Sequence, residues 1–532
     1  MKRKTLVLPA LAVLLAPLLA ACGGSDGGDS GGDTIVVGTT DQFVVTEDTP
    51  APFDPAAGYE TAAWNIMRNT FQTLVRAPRS GTEPVMEAAK KCEFTDQQGE
   101  QYRCTLRDGL TFTNGNELTS ADVEFSVQRM LAIGNDIGPG SLLANIDTVE
   151  APSDSEIVFH LKKPDATFPF KLATPAAAIL DSESYPAKAF KKGYKVVGSG
   201  PYTLDSFKAA SGEAEFVRNP DYEGTLDVKN EKIELRMYKS AEAMEKALTA
   251  GKIDVMNRSI SPEQVQRLEA DQGDKIDIIE SPGQEIRYLV FNTDSPVGGN
   301  KAIRQAMAQV VDRKALTRDV YRRTTEALYS LVPSGLPGHR NSFFNEYDEP
   351  DTEAARDILK SAGIEKPVEL TLNYTTDHYG AVTEDEFKAL QKQLNSTGLF
   401  DVDIKGVPWK DYLPTALKGN YPVYGFGWFP DFLDPDNFIA PFFVKDNVVK
   451  TPYVNKEIRD KLIPETRRET NRAAAAADFE RAQDIIAEEV PILPIWQGKQ
   501  YIAVRDDITG AEWALNSASV LQLWELGRGV SD

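Results

Sequence analysis

From Thr34 onward the chain alternates short β-rich runs with amphipathic helices, and few architectures accommodate that pattern. Residues 34–40 (TIVVGTT) predict a first strand, and 156–161 predict another. Trp64, Met67, Phe71 and Leu74 recur at helical spacing and predict a helix over 61–74. A second helix is expected over 118–131, opened by a capping-box pattern at Thr119 and Asp122. Ile303, Met307, Val310, Val311 and Val320 predict one long helix over 302–321. A further helix over 476–490 is stopped by Pro491. Strands and helices are mixed throughout, so the class is α/β.

The segment before Thr34 is of a different kind. Lys2, Arg3 and Lys4 form a cationic head, and 5–19 is almost purely Leu, Ala, Val and Pro. The run closes on Leu19-Ala20-Ala21-Cys22. That is the form of a signal peptide ending on a lipobox, in which small residues precede a cysteine that receives lipid. The expectation is a leader over 1–21, lipidation at Cys22, a flexible Gly/Ser/Asp tether over 22–33, and a body outside the cell membrane. The tether contains a formal G-x-S-x-G at Gly28–Gly32. It has no strand before it or helix after it, so it is no nucleophile elbow.

An extracytoplasmic address bears on the cysteines. Of three, Cys22 is assigned to lipid, leaving Cys92 and Cys104. Two strand-like pieces around a polar turn at Gly99 lie between them, and a hairpin would set them face to face for a disulfide. The formal net charge of −22 argues against nucleic acid and against anionic lipid surfaces. His160, His339 and His378 lack a partner at metal-ligand spacing, and His160 sits in a strand pattern as a packed residue. No phosphate-binding loop and no nucleophile–base set stands out. No metal, cofactor or catalytic role is expected.

The most unusual stretch is 421–443, YPVYGFGWFPDFLDPDNFIAPFF, where Asp431, Asp434 and Asp436 lie among aromatics. Aromatic walls around a few carboxylates suit a cationic group on an otherwise apolar ligand, such as a peptide amine. The same letters also read as a core strand followed by an Asp-Pro turn. Gly425 and Gly427 permit close backbone approach, and Trp409 upstream is a candidate to line the same cavity.

Several blocks, in order, resemble the dipeptide- and oligopeptide-binding proteins of ABC importers, family 5 of the extracellular solute-binding proteins. They are TLRDGLTFTNGNELTSADVEFS at 105–126; Gly198-Ser199-Gly200-Pro201-Tyr202 with Arg218-Asn219-Pro220-Asp221-Tyr222; and Ala247-Leu248 with 251–255. Further along come Tyr288-Leu289-Val290-Phe291-Asn292-Thr293, Ile303-Arg304-Gln305-Ala306 and Val311-Asp312-Arg313. Gly427-Trp428 with Asp431 and Asp434-Pro435, then 490–494, complete the set.

The resemblance implies a two-lobed periplasmic-binding-protein-like fold (type II, cluster C-like) with a two-strand hinge. Lobe I would comprise 34–287 plus 497–532, with an extra subdomain at about 76–197, and lobe II 288–496. The short strand-like runs 288–292 and 492–496 would be the hinge. Asp431, three residues after Gly427-Trp428, stands where peptide-binding members receive the ligand's amine. Trp428 and Trp409 match tryptophans that line side-chain pockets. Ala416 and Gly425 stand where oligopeptide-type members carry arginines, which leaves the partner of the ligand carboxylate unassigned. The implied function is a monomeric, lipid-anchored receptor that delivers peptides to ABC permease and ATPase subunits. Capture of an oligosaccharide, metal chelate or opine on the same fold, and peptide sensing without import, remain the alternatives.

Overall fold

The computed structural model describes residues 34–529 apart from 48, 259, 271–274, 381 and 446. The leader, Cys22 and the tether lie outside the described residues.

Its centre is a mixed sheet of 11 strands, ten in a row and Thr325–Ala327 paired beside them on Ile492–Arg505. Two long antiparallel strands, Ile276–Phe291 and Ile492–Arg505, form the middle of it. On one side follow Val423–Trp428, Val368–Thr375 and Phe400–Val407. On the other follow Val255–Asn257, Thr34–Thr39, Lys232–Met237, Glu213–Arg218 and Tyr202–Lys208. Thr34–Thr39 runs parallel to both its neighbours, as Val368–Thr375 does to both of its own. Such pairing needs crossover connections, which the intervening helices provide.

The two central strands stay paired with each other along their length, but in two registers. Their lower halves pair Ile276–Pro282 with Lys499–Arg505, and their upper halves pair Ile286–Val290 with Ile492–Gln497. The register breaks between Pro282 and Ile286. A break of this kind bends the ladder and marks where its direction changes. The runs 288–292 and 492–496 are therefore the ends of strands of 16 and 14 residues rather than short strands on their own.

Hydrophobic burial follows the same division. One large core is drawn from residues between Ile286 and Trp496. Another combines residues between Ile35 and Val255 with residues between Ile502 and Leu526. A small third cluster around Met244, Leu248 and Met256 backs the sheet beside the second. Two contacts join the segment 166–170 to the segment 432–467: the Ala166 N–H donates to the Arg467 carbonyl at 2.7 Å, and Phe170 meets Phe432 at 6.1 Å.

The second core carries a separate four-stranded sheet, Ala89–Phe94, Gln101–Leu106, Glu156–Leu161 and Ile146–Ser153. Cys92 and Cys104 are register partners in its hairpin and form a disulfide. Gly99 turns the hairpin with φ +72°, in the region that favours glycine. His160 is not packed away as its strand pattern implied. Its imidazole is 35% exposed and lies 3.8 Å from Glu150.

The helices follow the sequence closely except at two places. Ser120–Ile133 starts on Thr119, whose N–H donates to the Asp122 carboxylate at 3.0 Å. Ala476–Glu489 ends on Val490 at φ +48°, just before Pro491. Thr61–Thr70 stops a turn early because Phe71 is extended. The helix expected over 302–321 is broken. Lys301–Val310 ends, Val311 is extended, and Asp312 caps a new start by accepting from the Ala315 N–H at 2.8 Å. The apolar spacing survives the break because both pieces pack on the same core, and the cap overrides it.

Candidate functional site

The stretch 421–443 contains the core strand and the turn that its sequence allowed. Val423–Trp428 is a core strand, and helix Asp436–Phe443 follows after a turn. Strand geometry forces its glycines. A Cβ on Gly425 would collide with the Phe387 ring, and one on Gly427 with the Arg287 guanidinium. No arginine fits at Gly425, and Ala416 is buried at 2% exposure. A carboxylate partner is therefore not to be sought at either position.

The three aspartates have different fates. Asp434 receives two hydrogen bonds from Arg472, at 2.6 and 2.8 Å, with both side chains buried. Asp436 is clasped in the same forked way by Arg467, at 2.8 and 2.9 Å. Bidentate pairs of this kind fix geometry as well as charge. They anchor the turn and leave Asp431 as the carboxylate without an ion-pair partner among the described residues.

Asp431 is held by neutral donors. Its carboxylate accepts from the Asn437 amide at 3.1 Å and from the Tyr59 hydroxyl at 3.3 Å. The Asn437 side-chain oxygen in turn accepts from the Asp431 N–H at 2.8 Å and from the Trp428 indole at 3.2 Å. Asn437 thus locks Asp431 and Trp428 into one unit. Removal from water pushes the Asp431 carboxyl up to about 6, against the opposing pull of Asn437, Tyr59 and the more distant Arg68 and Lys171. A carboxylate so placed is short of positive charge and suited to receive some.

Tyr59 reaches this unit from the other core, where its ring packs on Trp64 at 5.5 Å. Its proton is held well above the ordinary range by burial and by the Asp431 charge, so it stays a donor.

Trp409 belongs to a second aromatic group. It opens helix Trp409–Leu417 and stacks flat on His378, with centroids 3.7 Å apart and planes 2° from parallel. Tyr379 and Phe426 close around it at 5.6 and 5.9 Å. Burial and the charges of Arg287 and Arg258 bring His378 down to about 4, so the stack is neutral at physiological pH. Tyr379 also covers the Arg287 guanidinium at 4.1 Å, and Arg287 is paired with Glu285. The expected residues thus fall into two places: Trp428 with Asp431, and Trp409 apart from them. Trp409 lines neither of the cavities nearby, one of about 300 Å³ beside Arg287 and one of about 500 Å³ beside Arg68.

Sequence reasoning missed Asn437, Tyr59 and the two arginines. Asn437 was visible only as the residue after Asp-Pro-Asp, an ordinary turn signal. Among the described residues, no group of three His, Cys, Asp or Glu is arranged to hold a metal ion, and no helix is long and apolar enough to cross a membrane.

A family model described as bacterial extracellular solute-binding proteins, family 5 middle region, matches residues 83–449. The probable D,D-dipeptide-binding periplasmic protein DdpA of Escherichia coli is 24% identical over 474 residues, covering 87% of this chain and 89% of that one. A dipeptide-binding protein of Pseudomonas aeruginosa is 26% identical over 501 residues, with 87% and 91% covered. Among solved structures, DppA from Helicobacter pylori in complex with the peptide STSA superposes with a TM-score of 0.76 at 21% identity, covering 93% of this chain and 98% of that one. At that identity the likeness speaks for the two-lobed α/β fold. The family consists of binding proteins rather than enzymes. With the match spanning most of the body and the fold agreeing, the chain belongs to the bacterial extracellular solute-binding proteins of family 5.

Proposed function

We propose that this protein is a lipid-anchored receptor that captures peptides between its lobes and delivers them to the permease and ATPase subunits of an ABC importer. Lobe I is 34–287 plus 497–532, with its subdomain at about 76–197, and lobe II is 288–496. The lobes pivot near the register break in the two central strands, where the sheet changes from one core to the other. Cys22 carries the lipid. Peptide binding by the relatives, as their names state, supports the ligand class.

The observation that carries the reading is Asp431. It is a desolvated carboxylate without a cation partner, fixed by Asn437, walled by Trp428 and faced by Tyr59 of the opposite lobe. A peptide's terminal ammonium supplies the missing charge. Trp428 borders this end of the ligand, and Trp409, stacked on His378 outside the two cavities described, would meet a ligand side chain further along. A desolvated charge pair of this kind costs about 3–5 kcal/mol to break from one side, more than a hundredfold in affinity.

The test is calorimetry with the full chain against a pooled library of di- to tetrapeptides and the same pool N-acetylated. Acetylation and Asp431→Asn should each lower affinity more than a hundredfold, and the two losses should not add. Equal binding of free and acetylated pools would remove Asp431 from the site.

A further inference from the structure

Two buried rings belong to no core. Phe170 is 4% and Phe432 is 6% exposed, yet neither is part of the three hydrophobic cores described above. Each helps to cover the other, with centroids 6.1 Å apart and planes 42° from parallel. Their neighbours explain how they meet. The short helix Phe168–Leu172 sinks Phe168 and Leu172, four residues apart on one face, into the core of lobe I. Phe170 falls on the opposite face. Leu433, next to Phe432, is held in the core of lobe II. Each ring therefore projects from its own lobe, and parting the lobes would return both to water, which opposes opening.

The same junction carries polar contacts. The Ala166 N–H donates to the Arg467 carbonyl at 2.7 Å. Asp165, the preceding residue, is buried and accepts from the Lys171 ammonium at 2.6 Å and from the Thr167 N–H at 3.1 Å. Against burial, Lys171 and then Arg467 hold the Asp165 carboxyl below its ordinary value, so the guanidinium of lobe II attracts it. Lys171 is in turn one of the charges that pull on Asp431. Segment 165–171 of lobe I thus meets the Asp431 turn and Arg467 through a ring pair, a backbone hydrogen bond and opposite charges. None of these contacts uses the Asp431 carboxylate, Trp428 or Trp409, the groups assigned to the ligand.

We propose that segment 165–171 is a clasp, made when the lobes close and broken when they open, that seats the Asp431 turn whatever peptide lies beside it. The inference rests on the peptide-receptor reading and deepens it. A contact present only in the closed state shifts the balance of open and closed forms by one factor for every ligand. The clasp therefore sets how long a peptide stays, not which peptide is chosen. Phe170 is a positioning residue in this scheme, acting on the ligand site through Phe432.

The experiment uses the full chain with pooled di- to tetrapeptides, free and N-acetylated. Calorimetry reads affinity, and stopped-flow tryptophan fluorescence reads the rates. Phe170→Ala should speed dissociation at least tenfold, leave association within twofold, and weaken both pools by the same factor. Phe432→Ala should slow nothing that Phe170→Ala speeds, and the double variant should add less than twofold, because either change removes the ring pair. Phe170→Leu should recover most of the loss. If Phe170→Ala loses its cooperative melt, hydrogen exchange of the native chain carries the test. The Ala166 amide should then exchange at least tenfold more slowly with the free pool bound than without it. Unchanged dissociation from Phe170→Ala, a loss confined to one pool, or an Ala166 amide indifferent to peptide would overturn the clasp and leave the receptor reading intact. Failure of every pool to bind would overturn both.

Discussion

The Tyr59 hydroxyl donates to the Asp431 carboxylate at 3.3 Å, joining residues 372 positions apart, of which Tyr59 packs against the core that contains Trp64. Tyr59→Phe removes this hydrogen bond at almost constant shape. The Asp431 carboxyl should then titrate higher still, because a donor that favours its charged form is gone. Carbon NMR of the labelled carboxyl would read the direction. The fold should lose only about 1 kcal/mol, since a single hydrogen bond contributes little net stability.

The Asp431 shift also has a sign for stability. Its carboxyl is pushed up to about 6 from the ordinary 3.8. Between those values the folded chain binds more protons than the unfolded chain, so stability falls as pH rises. The contribution is full below 3.8 and lost as pH passes through 6. Ionised Asp431 therefore weakens the fold at neutral pH. Asp431→Asn should be more stable than the native chain at pH 7, by about 1–2 kcal/mol, and the gap should close toward pH 4. Peptide affinity runs the opposite way. An ammonium favours the ionised carboxylate, so affinity should drop toward tenfold per unit below pH 6, and Asp431→Asn should lack that slope.

Asp434 and Arg472 form a forked pair that is 1% and 3% exposed. Removing one side leaves a buried charge without its partner. Asp434→Asn should cost about 3–5 kcal/mol in urea unfolding. Arg318 and Asp319 pair on the surface, at 57% and 59% exposure, and Asp319→Asn should leave the urea midpoint almost unchanged, because solvent screens the pair. Similar losses at the two sites would show that the turn is not anchored as described.

The disulfide Cys92–Cys104 closes a hairpin in the four-stranded sheet, remote in sequence from the Asp431 turn. Replacing both cysteines with serine should lower stability by about 2–3 kcal/mol, chiefly by freeing the unfolded chain. Affinity for the peptide pool should stay within twofold. A large loss of affinity would mean that the sheet communicates with the cleft.

The legible parts of this molecule were those written in local spacing. The strand at Thr34, the capping box at Thr119 and the facing cysteines all follow from neighbouring residues and backbone sterics. Local spacing failed at 311–312, where a cap that uses one carboxylate interrupts a helix whose apolar face continues. It also failed wherever a site is completed from a distance. Asp431, Asp434 and Asp436 look alike in sequence. What separates them is that Arg467 and Arg472 take two of them, while Asn437 and Tyr59 hold the third. The stack of Trp409 on His378 was likewise not legible, because it joins helix Trp409–Leu417 to a residue 31 positions upstream.

The most direct measurement is native mass spectrometry of the full chain, purified from its expressing cells without refolding, to weigh what co-purifies. The account predicts a ladder of peptide masses that is lost from Asp431→Asn. A single sugar, metal chelate or other non-peptide mass, retained by that variant, would contradict it.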